Sequence, residues 1–340
     1  MTKVAVVILN YNGKNYLEQF LPGVLAFSGD AKVIVADNCS TDGSAIFLRE
    51  NFPSVELIQL NENKGFCEGY NAVLKQIVAN YYVLLNSDVA VTEEWLTPII
   101  ELLDSDPSIA ACQPKILSYQ AKNKFEYAGA GGGQIDFLGY PFCRGRIFNT
   151  TEADRDQYND TLPVFWASGA CMVVRSDRYH EMGGLDEDFF AHMEEIDLCW
   201  KFWRSGNKVY YQGKSAVYHV GAGTLPVTNP KKTYLNFRNG LSLLIKHQRI
   251  AALVWKLPLR ILLDWSACLH FILTGGVIHA KAVVIAHLSL LKRLSHELVK
   301  RAATKKQIKN FKVENIHHRL IVFEYFLRGK KTFGEIKNPK

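Results

Sequence analysis

Residues 4–86 alternate two patterns of hydrophobic and polar positions. Short runs rich in Val, Ile and Leu at 4–10, 32–38, 55–60 and 81–86 predict buried strands, while residues 14–27, 44–51 and 69–79 carry apolar residues at helical spacing. Strands alternating with helices predict βαβ units, hence an α/β domain around a mostly parallel sheet. In such sheets ligands bind beyond the carboxyl ends of the strands, near the switch in strand order.

Those ends read Asn10-Tyr11-Asn12-Gly13, Asp37-Asn38-Cys39-Ser40-Thr41-Asp42-Gly43, Asn61-Glu62-Asn63-Lys64-Gly65 and Asn86-Ser87-Asp88. Any one of them taken alone is an ordinary turn or helix cap. Four in succession predict small, polar and acidic groups converging on one sheet edge. After residue 90 the pattern becomes irregular, with a Gly-rich segment at 128–133 and a polar loop at 149–160. Residues 166–175 read as a loop feeding another buried strand. Residues 194–205 then have helical spacing, with Ile196, Cys199, Trp200 and Trp203 on one face and Glu194, Glu195 and Asp197 in the first turn, where carboxylates suit the helix dipole.

The last third differs in kind. Residues 253–278 are strongly apolar, yet Lys256, Arg260, Asp264 and His270 interrupt them, and Pro258 and Gly275-Gly276 are expected to break them. A spanning helix needs about 20 predominantly apolar residues, so the segment reads instead as helices lying in a membrane interface, with contact expected over residues 250–310. The alternative is helices packed on the catalytic domain that expose a basic face. From Lys246 onward there are 19 Lys and Arg against 5 Asp and Glu, a local charge of +14, which leaves −7 for residues 1–245 out of a total of +7. The two parts therefore face different partners.

The 340 residues, 48% hydrophobic, suffice for one large α/β domain and an accessory segment. The expected division is 1–240 for the catalytic domain, with halves of about 1–110 and 111–240, and 241–340 for a basic, apolar helical segment. The seven cysteines are scattered singly without a CxxC pair, which points to reduced thiols in a cytosolic setting. The start lacks the features of a signal peptide.

A phosphorylated ligand at such an edge needs its charge neutralised, and a hydroxyl reacting there needs to be deprotonated. A divalent Mg²⁺ or Mn²⁺ with oxygen ligands meets the first need, and a carboxylate meets the second. Asp88, delivered at a strand end, is the candidate for the metal. The cluster Glu194, Glu195 and Asp197 offers the base.

The chain resembles family 2 glycosyltransferases of the GT-A fold, particularly the rhamnosyltransferase-like branch acting on bacterial surface polysaccharides. Val6-Val7-Ile8-Leu9-Asn10-Tyr11-Asn12 is similar to the family's opening strand and nucleotide loop. The stretch from Val33 to Ser44 is similar to its second strand, whose Asp, here Asp37, contacts the nucleoside. Asn61-Glu62-Asn63-Lys64-Gly65-Phe66 through Gly69-Tyr70-Asn71 resembles the stretch bordering the donor. Leu84-Leu85-Asn86-Ser87-Asp88 occupies the place of the DxD motif, with Asn86 where the first Asp often stands. Gly183 to Phe190 with Glu194 to Cys199 resembles the segment bearing the acceptor site and the base.

The resemblance implies a donor site of Asn10, Tyr11, Asn12, Asp37, Asn63, Gly65, Asn71, Asn86, Ser87 and Asp88, with metal at Asp88 and His219; Arg238 is a further donor-site candidate, placed by its charge to approach the diphosphate or a lipid phosphate. It also implies an inverting, metal-dependent transfer from a nucleotide-sugar donor to a glycan or lipid-linked acceptor, at the cytoplasmic face of a membrane. The base ranks as Glu195 first, Glu194 second and Asp197 third; the family usually has Asp at the position of Glu195. Lys231 and Lys232 are further candidates to approach a diphosphate. A sugar nucleotidyltransferase would share the sheet but needs a Gly-rich loop ending in a basic pair, where this chain reads Asn10-Tyr11-Asn12-Gly13-Lys14-Asn15. A non-catalytic carbohydrate-binding module would not require Asp37, Asp88 and the 194–197 cluster to converge. The basic tail is too apolar for nucleic acid to be its expected partner, with Trp255, Trp265 and Phe271 among its lysines.

Overall fold

The run Val4-Ala5-Val6-Val7-Ile8 buries both of its faces, as a strand does at the centre of a sheet covered on both sides. The computed structural model describes residues 2–221 and 229–337. In chain order the strands are β1 (Thr2–Asn10), β2 (Lys32–Asp37), β3 (Glu56–Gln59), β4 (Ala79–Asn86), β5 (Val89–Val91), β6 (Ile109–Ser118), β7 (Gly133–Asp136), β8 (Pro141–Cys143), β9 (Arg146–Ile147), β10 (Thr150–Thr151), β11 (Thr161–Pro163), β12 (Cys171–Arg175), β13 (Lys208–His219) and β14 (Ile316–His317). The helices are α1 (Lys14–Phe27), α2 (Ser44–Asn51), α3 (Gly65–Leu74), α4 (Thr97–Ser105), α5 (Ser176–Glu181), α6 (Glu194–Arg204), α7 (Pro230–His247), α8 (Ile250–Leu273), α9 (Val277–Lys292), α10 (Leu294–Gln307) and α11 (Phe333–Lys337).

The main sheet runs β3-β2-β1-β4-β12-β6-β13-β11, with β5 paired to β13. Strands β1 to β4 are mutually parallel where they pair, as are β6 and β13, while β12 runs antiparallel between β4 and β6. The expected α/β class with a mostly parallel sheet is the one observed. Alternate residues of each strand feed opposite layers: Ala5, Val7, Tyr82 and Leu84 join one core, and Val4, Val6, Ile8 and Val83 the other.

Helices α1 and α2 fall at 14–27 and 44–51, as the spacing predicts. The helix expected at 69–79 begins at Gly65, because the Asn63 side chain accepts from the Gly65 N–H at 2.9 Å and starts it early. It ends at Leu74, where Tyr82 Oη donates to the carbonyls of Leu74 and Ile77 and turns the chain into β4.

The irregular middle of the sequence forms a second sheet, β10-β9-β8-β7-β14. Its Gly-rich entrance has a steric cause, since a Cβ on Gly133 would lie 2.2 Å from the indole of Trp166.

Two expected boundaries move. The division at 240 falls inside α7, whose Leu235, Leu241, Leu243 and Leu244 are continuously buried. Nor is the C-terminal segment purely helical: β14 pairs with β7, and Ile321, Tyr325 and Ile336 form a core with Phe142 and Ile147. Pro258 does not break α8, which continues to Leu273 and stops before Gly275, where φ is +81°. Among the described residues no helix is long and apolar enough to cross a membrane.

Candidate active site

A cleft of about 880 Å³ opens at the carboxyl ends of β1 and β4. Tyr11, Asn12, Asn63, Gly65, Asn86, Ser87, Asp88, Glu194, Glu195 and His219 all line it, so most of the sequence candidates meet in one place. Three strand-end loops form one wall and are tied to one another. Asn12 accepts from the Thr41 N–H at 2.7 Å, and its own N–H donates to Ser40 Oγ at 2.9 Å. Asn38 donates to Asn63 Oδ1 at 3.1 Å and to the Gly65 carbonyl at 2.9 Å, and accepts from the Lys64 N–H.

Asn10 and Asp37 are buried beneath this wall and do not line the cleft. Asn10 Nδ2 donates to Asp37 Oδ1 at 3.1 Å and Asp37 Oδ2 accepts from the Ser40 N–H, so both side chains brace the loop that faces the ligand. Asn71 is also removed from the cleft. It accepts from Tyr179 Oη and the Leu185 N–H, and donates to the Leu185 carbonyl and Glu187, clamping the 179–187 turn. Arg238 is likewise turned away: it donates to the carbonyls of Asp188 and Phe189. The basic residues that do line the cleft are Lys124, Lys231 and Lys232.

Asp88 leaves β4 and the chain continues at once into β5, whose Val89 pairs with His219 of β13. That register sets His219 Nε2 3.2 Å from Asp88 Oδ1, while Nδ1 lies 3.2 Å from Glu126 Oε2 without hydrogen-bond alignment. Burial works against the imidazolium, yet the carboxylates of Asp88 and Glu126 outweigh it and hold the His219 pKa up to about 10. Glu126 is held below its usual range: burial opposes this, and His219 overcomes it. The close approach needs Gly221, whose φ is +72° and whose added Cβ would lie 2.5 Å from Glu126 Oε1.

Helix α6 presents Glu194 and Glu195 to the same cleft from its first turn. Each keeps one buried carboxylate oxygen without a partner. Burial raises Glu195 to about 7. Burial first, then the neighbouring charge of Glu195, pushes Glu194 well above the carboxylate range. Asp197 points the other way. It is fully buried and paired with Lys246 at 2.8 Å, His247 at 2.8 Å and Lys201 at 3.3 Å, a structural ion cluster away from the cleft. The third-ranked base is therefore corrected to a residue that anchors α6 to α7.

Sequence reasoning missed Glu126 and His192. Glu126 is a lone acid in a segment without periodicity and gains meaning only opposite His219. His192 lines the cleft with its Nε2 buried and unpartnered; burial, and then Lys232, lower its pKa to about 4, which leaves a neutral imidazole.

The strand-end cleft lined by Asp88, His219 and a perturbed carboxylate sits in a GT-A fold, as likeness to solved structures shows. The mannosyltransferase PcManGT from Pyrobaculum calidifontis, solved with GDP-Man and Mn²⁺, superposes with a TM-score of 0.51 at 14% identity, covering 90% of this chain and 85% of that one. GalNAc-T7, solved with UDP, GalNAc and Mn²⁺, gives 0.55 at 13% identity over 72% of this chain, which spans 48% of that chain.

Residues 5–177 match the family described as glycosyl transferase family 2, and the chain belongs to that family. It is a glycosyltransferase. The N-acetylglucosaminyl-diphospho-decaprenol L-rhamnosyltransferase of Mycobacterium tuberculosis is 26% identical over 237 residues, covering 64% of this chain and 76% of that protein. The rhamnosyltransferase WbbL of Escherichia coli K12 is 23% identical over 219 residues, covering 61% and 80%. These two place the chain in the rhamnosyltransferase-like branch.

Proposed function

We propose that this enzyme transfers a sugar, with inversion, from a nucleotide-sugar donor to a hydroxyl of a glycan or lipid-linked saccharide during surface-polysaccharide synthesis. The observation that carries this reading is the pair of groups lining one cleft: Asp88 held against His219, and Glu195, raised to about 7.

Residues of the 10–13, 37–44 and 61–65 loops receive the nucleoside, and Asn86, Ser87 and Asp88 receive the ribose and diphosphate end. Asp88 offers an oxygen, and His219 a nitrogen once an arriving cation displaces the proton that Asp88 and Glu126 hold on it, a set that suits Mn²⁺ somewhat better than Mg²⁺. Among the described residues no cluster of three or more His, Cys, Asp or Glu builds a complete shell, which fits an ion shared with the donor's phosphates. Bound there, the ion would neutralise charge developing on the departing diphosphate. Lys231 and Lys232 add positive charge on the same side.

Glu195 takes the proton of the acceptor hydroxyl, whose oxygen bonds to the anomeric carbon as the bond from that carbon to the diphosphate oxygen breaks. A pKa near 7 matches a general base working at neutral pH. A lipid-linked acceptor is supported by the M. tuberculosis relative, whose name specifies a diphospho-decaprenol substrate. Such an acceptor implies work at the cytoplasmic face of a membrane, with contact through residues 250–310.

Thermal shift with a panel of nucleoside diphosphates, with and without Mn²⁺, tests the donor site. Stabilisation by one nucleotide only in the presence of metal is expected. Equal shifts by all of them, with or without Mn²⁺, count against the reading. Asp88→Ala and Glu195→Ala are each expected to abolish transfer, and undiminished turnover in either refutes its role.

A further inference from the structure

Helix α8 is built inside out. Its outward residues include Val254, Leu262, Trp265, Leu269 and Leu273, whereas its buried ones are Arg260, Asp264 and Cys268. Val254 is 72% exposed and Asp264 0%. A helix of a water-soluble domain has the reverse arrangement. The next two helices also expose large apolar residues. In α9, Ile278, Ile285, Leu288 and Leu291 face out above a core of Ala280, Ala282, Val283 and Ala286. In α10, Leu294, Leu298 and Val299 are exposed, while Glu297, Arg301 and Thr304 are buried. The large exposed hydrophobics of the described chain are concentrated here: 16 of the 24 lie on α8, α9 and α10. A surface of that extent is an interaction site and not scattered exposure.

Charge selects the occupant. From residue 250 to residue 296 the one acid is Asp264, which is buried against Arg260 and His287. The outward face therefore carries no negative charge, and the exposed Lys281 and Lys292 flank its apolar residues. A second copy of the chain would set this basic face, with its exposed Lys281 and Lys292, against another like it. An anionic bilayer satisfies both features, the apolar residues entering the headgroup boundary and the lysines meeting lipid phosphates.

We propose that the outward face of α8, α9 and α10 is a docking surface for an anionic bilayer, lying along it without crossing. This deepens the reading that the acceptor is lipid-linked and rests on it for its biological purpose. The docking face also holds the acceptor side of the cleft. Arg293 and His296 pair with Asp188 at 3.0 and 2.6 Å, and Lys300 pairs with both Asp186 and Asp188 at 2.7 Å. Two residues beyond Asp188, Phe190 stands exposed at the cleft with Lys231 4.4 Å from its ring. Docking thus fixes the loop between Asp186 and Glu194 near the bilayer, where the hydroxyl of a lipid-linked saccharide is presented.

The test is co-flotation of the full chain with vesicles of phosphatidylcholine alone and of phosphatidylcholine with phosphatidylglycerol, at low and raised salt. Binding is expected to the anionic vesicles and to weaken with salt. Lys281→Gln with Lys292→Gln should reduce it roughly 30-fold, the loss expected for two basic residues at an anionic surface. A second variant, Val254→Ser with Leu262→Ser and Leu269→Ser, alters only exposed positions, keeps the fold by circular dichroism, and should lose binding at any salt. Equal binding by parent and both variants overturns the proposal. So does absence of binding together with a concentration-dependent dimer that the serine variant dissolves, the outcome for a second copy. Flotation needs no turnover and the nucleotide shift needs no vesicles, so failure of the docking surface is distinguishable from failure of the transferase reading.

Discussion

Replacing Glu195 by Gln removes the proposed base while keeping its shape, and the structure predicts opposite effects on activity and stability. The carboxyl is shifted from an ordinary 4.5 to about 7 by burial in the first turn of α6. A carboxyl raised on folding contributes stability that is fully present below its unfolded pKa and lost as pH rises through its folded one. A shift of this size corresponds to about 3 kcal/mol, reduced to about 2 to 3 by the water that reaches this half-buried group. The wild type should therefore lose that much relative to Glu195→Gln between about pH 4.5 and pH 8, whereas the two should be equally stable in acid. Activity should move the other way: kcat of the wild type rises with pH to a plateau above about 7, and the variant is inactive throughout. Urea unfolding at pH 5 and pH 8, with a pH–rate profile, reads both. Unchanged stability of the variant relative to wild type at pH 8, or a surviving pH profile in Glu195→Gln, would refute the assignment.

Three further outcomes follow from the site and its supports. His219→Gln should abolish the metal-dependent part of the thermal shift given by the nucleotide while leaving a metal-independent remainder; an intact Mn²⁺ effect would remove His219 from the ion's surroundings. Lys246→Ala removes the ammonium shared by the buried carboxylates of Asp186 and Asp197, 2.6 and 2.8 Å away; Lys300, His247 and Lys201 remain as their partners, so the cost in urea titration should stay at or below about 3 kcal/mol, the low end for breaking a buried pair. Asn71→Ala leaves Tyr179 Oη and both backbone groups of Leu185 without their partner. It should destabilise by about 1 to 3 kcal/mol, without the selective change in donor KM expected of a residue that touches the nucleotide.

The first four strands, their order of polar ends, and the acidic start of α6 were legible in the sequence because each is a local signal. Periodicity of 2 or 3.6 and a carboxylate at a strand end survive without knowledge of neighbours. The inverted character of α8 was half legible: its apolar content and interrupting charges stood out, but which of them faced inward did not. Two residues with the same local appearance, Glu195 and Asp197, took opposite roles. Two positions along α6 turn a side chain by about 200°, so one lines the cleft while the other meets Lys246 and His247 in the core.

What the sequence by itself determined is the α/β class, the parallel half of the sheet and the set of residues gathered at its carboxyl edge, since burial on both faces and turn chemistry are written in consecutive positions. What only the tertiary structure decided is how those residues divide their work. Asn10, Asp37, Asn71 and Arg238 became braces, and Glu126 joined His219, because a hydrogen-bond partner distant in the chain is chosen by packing and leaves no local trace. His219 reached Asp88 only through the register of β5 on β13, a pairing of strands more than a hundred residues apart along the chain.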